Sequence, residues 1–508
     1  MLKLLVNGKT KEIKAILIIA CMFMCLLPTT AFAADYTASY DLSNGSVVIE
    51  EEGKYHIYQS DETPTENTIT VRANCTVVLD GVNILVPSPA SVDDYNKPNP
   101  FNIDGTYRVV VSLVDGTVNT LKSGEGYYDS SVFADDLRLA CSSGKAGLRV
   151  PQGAELTING NTGVLNTYGA SGVNKSAGYA WGGSGAGIGG DGGYKFGSVK
   201  EAENSGKIII NGGEINAVGG LVRSYWGGGA AGIGGGGGRY DEVGGSSDEI
   251  IINGGIINAT SGKRGDGDSE GNAIGAGCSG NRPENAARAS TSPVKINSGN
   301  VTINGLLENK LGGEIFIANG ATLNVAGNSK IINDGGAWVN NGTIVNDGEI
   351  ICNPHQISEV AAKKATCVAG NRRYYKCDVC GKSFEDEDGS IAVEISDVII
   401  PANAAHKYEW VIDKEATATE KGKKHEECVI CHDKKNYVDI AVIENDKTNT
   451  DKTNTDNTNN SNDTNNNNNN NTAPETFDGT ANVVWIMLIT LCSICVVAVK
   501  MYDKKKDI

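Results

Sequence analysis

Apolar positions in this chain come in short β-branched runs, not in helical stripes. Ile208-Ile209-Ile210-Asn211-Gly212-Gly213-Glu214-Ile215-Asn216-Ala217 recurs as Ile250-Ile251-Ile252-Asn253-Gly254-Gly255-Ile256-Ile257-Asn258-Ala259. A looser copy runs from Val294 to Ile303, and an earlier one is Leu156-Thr157-Ile158-Asn159-Gly160. Between the copies lies a second repeated piece: Gly185-Ala186-Gly187-Ile188-Gly189-Gly190, then Ala231-Gly232-Ile233-Gly234-Gly235, then Ala273-Ile274-Gly275-Ala276-Gly277. Each run is too short for a helix and stops at a turn signal, Asn-Gly-Gly in the two close copies, Asn297-Ser298-Gly299 and Asn159-Gly160 in the others. Asn and Gly accept positive φ, so the chain can turn sharply there.

A motif that returns after 42 and then 44 residues, from Ile210 to Ile252 to Ile296, is the signature of a solenoid. The expected fold is all-β, a right-handed parallel β-helix in which each strand pairs with its equivalent in the next coil and inward Ile and Val stack. The period predicts two coils of roughly 21 residues each, rising about 4.8 Å per coil. Residues 36–180 read as N-terminal coils with insertions at 86–104 and 122–145, and residues 181–353 as the glycine-rich repeats. Gly313-Glu314-Ile315-Phe316-Ile317 and Asn341 to Ile350 continue the pattern in shorter rungs. Gly189-Gly190-Asp191-Gly192-Gly193 looks like a phosphate-cradling loop, but no Lys-Ser/Thr pair or strand-to-helix context follows, so these glycines read as structural corners.

Over some 300 residues the A-G-I-G-G and I-x-I-N-G-G motifs resemble those of glycine-rich, adhesin-like β-helix proteins on the surface of Gram-positive bacteria. The repeat architecture, the expected export and the missing catalytic clusters point to a non-enzymatic protein that presents a repeat surface to glycans or host surfaces. The rival expectation is a polysaccharide lyase or glycoside hydrolase on the same scaffold. Such chemistry needs paired carboxylates, or Ca²⁺ held by Asp beside a proton abstractor. The β body offers one histidine, His56, in the alternating strand Tyr55-His56-Ile57-Tyr58, and no Asn-Thr-Asp or Gly-His-Gly cluster; its Asp-Asp pairs, Asp93-Asp94 and Asp135-Asp136, fall in the two insertions. His56 reads as a packed or surface residue, and no catalytic residue is assigned. Gly265-Asp266-Gly267-Asp268-Ser269-Glu270 is a weak candidate for Ca²⁺, with a solvated acidic loop as the favoured alternative.

The ends set the expected compartment. Lys3, Lys9, Lys11 and Lys14 precede an apolar run from Ala15 to Leu27 and the triplet Ala31-Phe32-Ala33, a secretory signal over 1–33. Lipoprotein processing at Cys21 is the lesser reading. Residues 481–500 read as a transmembrane anchor, with 501–508 as a cytoplasmic basic tail. Ala473-Pro474-Glu475-Thr476-Phe477, then the apolar run and lysines, resembles a sortase sorting signal; Pro474 and Thr476 match it, while Ala473 and Phe477 depart from it. The body is therefore expected outside the cell, on a membrane anchor or attached to the wall. The Asn/Thr-rich stretch 444–480 has no side chains for a core and reads as a disordered spacer. A net charge of −17 argues against a nucleic-acid partner.

The most specific chemistry lies in 354–443. Two copies of a Cys/His module align with a step of 51 residues, placing His355, Cys367, Cys377 and Cys380 opposite His406, Ala418, Cys428 and Cys431. Three thiolates and an imidazole are a usual ligand set for structural Zn²⁺, with Cys-x-x-Cys as one half-site. The second copy lacks one cysteine, and His425 or His432 is the expected replacement. The predicted ligands are therefore His355, Cys367, Cys377 and Cys380, and His406, His425, Cys428 and Cys431. A disulfide, Cys377–Cys380 or Cys367 with either, is the alternative outside the cell. The module resembles short Cys/His repeats near the C-termini of bacterial surface proteins, a likeness that implies no enzymatic role. Cys75, Cys141, Cys278 and Cys352 show no partner pattern and read as small apolar residues; Cys492 and Cys495 fall in the expected span.

Overall fold

A computed structural model describes residues 36–90, 97–126, 143–173, 182–196, 198–222, 227–239, 242–263, 270–280 and 293–443. The expected signal, spacer, anchor, tail and sorting-like motif lie outside the described residues, as do Cys21, Cys141, Cys492, Cys495 and all of the acidic loop but Glu270. Among the described residues no helix is long and apolar enough to cross a membrane.

Nearly every regular element of the described chain is a strand, and its body is a solenoid-like stack of parallel sheets. A ten-stranded sheet runs from Ala38–Asp41 to Ala337–Asn340, a seven-stranded sheet from Val47–Ile49 to Ile274–Gly275, and an eight-stranded sheet from Asn83–Leu85 to Thr343–Asn346. One turn visits each in order. Lys207–Ile210 lies in the first, Glu214–Val218 in the eight-stranded sheet and Ile233–Gly234 in the seven-stranded sheet, before Ile250–Ile252 rejoins the first. Residues Ile208, Ile209 and Ile210 pair directly with Ile250, Ile251 and Ile252.

That register corrects the predicted coil length. The 42-residue period is one long coil, not two of about 21. The surplus lies between Val218 and Ile250, where glycine-rich chain flanks the two-residue strand Ile233–Gly234 of the seven-stranded sheet. Short coils do occur at both ends: Gly53 pairs with Cys75, 22 residues on, and Val294 with Ile315, 21 residues on.

Inward positions stack like on like. Ile208, Ile250, Val294 and Ile315 form one column and Ile215, Ile257, Val301 and Leu323 another, all essentially inaccessible to solvent. Each such side chain contributes about 1.5–3 kcal/mol by leaving water. Outward positions carry amide ladders. Asn211, Asn253 and Asn297 each donate an Nδ2–H to the Oδ1 of the asparagine one coil earlier, at 2.8 Å, starting from Asn159. A second ladder joins Asn166, Asn216 and Asn258 at 2.8–2.9 Å.

The A-G-I-G-G pieces stack as well. Gly189, Gly234 and Gly275 share positive φ of 137°, 135° and 123°, and a Cβ on Gly234 would meet the Gly275 carbonyl oxygen at 1.9 Å. Backbone N–H groups bond straight across, Gly190 to Gly234 and Gly235 to Gly275, each at 2.9 Å. Only glycine lets three chains lie this close.

A buried ionic cluster closes this layer. Asp191, 1 % exposed, accepts from the Asn99 side chain at 2.7 Å, the Ala146 backbone at 2.9 Å and Lys145 Nζ at 3.0 Å. Arg149 binds both carboxylate oxygens of Glu203, which also accepts from the Asp191 N–H at 3.2 Å. Burial alone would raise the Asp191 carboxyl, but Lys145, Arg149 and Lys200 outweigh it and hold it well below the usual carboxylate range.

Past the last rung, Ile357–Val360, Tyr374–Cys377, Ser383–Phe384 and Ala392–Val393 form a small antiparallel sheet. The described chain divides into two compact units. One runs through Trp410 and includes Glu426–Lys435; the other holds Val411–His425 and the residues from Asn436 on.

Candidate metal centres

The two Cys/His modules share local geometry at their 51-residue step. Cys377 N–H donates to the Lys382 carbonyl and Cys428 N–H to that of Asp433, both at 2.9 Å. Gly381 and His432 donate to the carbonyls of Cys377 and Cys428, again at 2.9 Å. Gly381 has φ of 73° and His432 of 60°, so both Cys-x-x-Cys segments end in the same left-handed turn. This tight knuckle turns both sulfurs to one side and aims N–H groups at the first. The backbone N–H groups of Cys431 and Ile430 hold the Cys428 thiol down at about 5.

Two groups of four ligand atoms result. One comprises Cys352, His355, Cys377 and Cys380, the other Cys367, His406, Cys428 and Cys431, and within each the ligand atoms lie within 4.8 Å of one another. A tetrahedral zinc with bonds of about 2.3 Å to sulfur and 2.0–2.1 Å to nitrogen has edges of about 3.8 Å between sulfurs and about 3.6 Å from sulfur to nitrogen. Cys352 and Cys377 sulfurs are 3.8 Å apart, as are those of Cys367 and Cys428. His355 Nδ1 is 3.5 Å from Cys380 Sγ, and His406 Nδ1 is 3.3 Å from Cys431 Sγ. These separations match the edges of such a tetrahedron and are far from the about 2.05 Å of a disulfide. The six cysteines of the two groups form no disulfides.

The structure brings six of the eight predicted ligands into their expected groups and changes two. Cys367 does not serve the first group; it joins His406, Cys428 and Cys431 in the second. His425 is in neither group. It is 1 % exposed, its Nδ1 lies 2.7 Å from Asp413 and its ring stacks on Tyr437. The other expected replacement, His432, turns outward and pairs with Glu427 at 2.6 Å. Cys352 takes the place left in the first group. Its strand pattern concealed it, but its Cys-x-x-His spacing to His355 mirrors Cys377-x-x-Cys380 and is the signal that marks it.

The other expectations are placed as follows. His56 Nε2 pairs with Asp80 at 3.0 Å and its ring stacks with those of Tyr36 and Tyr58. Cys75 is buried, and desolvation pushes its thiol up to about 11, as for a small apolar residue. Glu270 accepts a hydrogen bond from Ser261 at 2.5 Å. No family model, curated protein or solved structure matches the chain.

Proposed function

We propose that this is an exported, non-enzymatic surface protein, a right-handed parallel β-helix of the adhesin-like kind that binds glycans along its outer edge. In this reading the two Cys/His groups hold structural Zn²⁺, and the spacer and C-terminal segment tether the solenoid to the cell envelope. The observation that carries the binding reading is the exposed amide ladder from Asn159 to Asn297. An amide offers a donor and an acceptor side by side, the complement of a sugar hydroxyl, and stacking repeats it at the rung spacing of about 4.8 Å. The ladder opens at Asn159 into a groove of about 410 Å³ lined by Ser112, Leu113, Asp115, Asn161 and Asn211. A periodic row of polar groups suits a periodic polymer.

The test incubates the purified protein with polygalacturonate and with mucin glycans, following both binding and chain cleavage. Saturable binding without turnover, weakened by Asn253→Ala, is expected. Turnover would replace this reading with a lyase or hydrolase, and binding to neither class would remove the glycan role.

A further inference from the structure

We infer that each metal site closes on a sulfur supplied by the preceding unit, so that the two sites are clasps between units. The first clasp ties the solenoid to the first module; the second ties the first module to the Cys428–Cys431 knuckle of the second. The inference rests on the zinc reading above and is independent of the glycan reading.

Three ligands of each site belong to its own module. His355, Cys377 and Cys380 step by 51 residues to His406, Cys428 and Cys431, and the knuckle hydrogen bonds step with them. The fourth does not. Cys352 closes the strand Glu349–Cys352, which pairs with Lys330–Asp334 of the solenoid, and it is buried in the continuous core. The residue 51 positions later is Asn403, which has no sulfur. The backbone N–H of Asn403 donates to the Thr366 carbonyl at 2.8 Å, and that of Ala404 to the same oxygen at 3.2 Å. This docking sets the chain just before His406 against Thr366 and brings in its neighbour Cys367, whose sulfur lies 3.8 Å from Cys428. Cys367 is thus to the second site what Cys352 is to the first.

The same logic accounts for Ala418. It stands 51 residues after Cys367, in the position from which a sulfur would be handed to a following module. Between His432 and Ile508 no histidine occurs, so within these residues no third site of this type calls for a sulfur at 418. Bound metal, drawing on three thiolates and one imidazole, then fixes the position of each unit on the one before it. Small units with so little apolar core depend on such staples.

Cadmium-113 NMR of the full chain, loaded with Cd²⁺ alone, tests the pairing. The unmodified protein should give two resonances in the three-sulfur, one-nitrogen range. Cys380→Ser removes the first and Cys431→Ser the second, which assigns them. Cys352→Ser should then match Cys380→Ser, and Cys367→Ser should match Cys431→Ser. The double variant Cys367→Ser with Asn403→Cys should regain the second resonance, because a sulfur at 403 occupies the place that Cys352 holds in the first module; this rescue guards against simple unfolding. A Cys367→Ser spectrum matching Cys380→Ser, or a double variant without the second resonance, overturns the clasp. An unmodified protein that binds no cadmium overturns the zinc reading along with it.

Discussion

His432 stands 51 residues after Gly381 and adopts the same left-handed backbone, with φ of 60° against 73°. The turn, not a metal, sets the conformation there. A side chain with a Cβ in this region is strained by about 1 kcal/mol. His432→Gly should therefore raise the stability of the second module by about that amount and leave its metal content unchanged. His425→Gln should also retain both metals, since its ring serves Asp413 and Tyr437. Metal analysis alongside thermal melts checks both; loss of one equivalent in either variant would restore that histidine as a ligand.

The glycine layer makes a sharper prediction. Gly234→Ala places a Cβ 1.9 Å from the Gly275 carbonyl oxygen at a φ of 135°, so two backbones must separate. A loss of several kcal/mol is expected, at the upper end of single substitutions. Gly327→Ala, whose nearest neighbour would be 3.7 Å away, should be tolerated. Denaturant midpoints of the two variants measure the contrast, and equal midpoints would contradict the stacked geometry.

Asp191 gives the pH dependence. Its folded carboxyl sits below the ordinary value of about 3.9, because Lys145, Arg149 and Lys200 overcome the opposing effect of burial. A depressed carboxyl contributes stability that is fully present above the unfolded value and is lost as pH falls through the folded one. The Asp191 contribution should thus hold from neutral pH down to about 4 and fade only in stronger acid. Asp191→Asn removes the carboxylate 3.0 Å from Lys145 and should cost about 3–5 kcal/mol at neutral pH. The variant should also lose part of the acid-side slope. Urea melts from pH 2 to 7 follow both effects.

Much of the solenoid was legible because its rungs repeat residue by residue. Ile208 to Ile210 match Ile250 to Ile252 in sequence, and in-register stacking turns that match into pairing. Coil length was not legible, since glycines carry no side chain whose alternation shows whether a segment crosses the core or runs beside it. The ionic cluster was hidden for another reason: Asp191 and Lys145 are 46 residues apart, and no local pattern joins them. At the candidate metal centres the residue types and Cys-x-x-Cys spacings placed six residues in the groups that the structure forms. Aligned as self-sufficient copies, the two modules keep Cys367 in the first group, call for a histidine in the second, and leave Cys352 in its strand.

The most direct test of the account is zinc analysis with X-ray absorption on the purified full chain. Two zinc ions per chain are predicted, each with three sulfurs at about 2.3 Å and one nitrogen at about 2.0–2.1 Å. A metal-free chain with Cys377–Cys380 and Cys428–Cys431 oxidised to disulfides would contradict it.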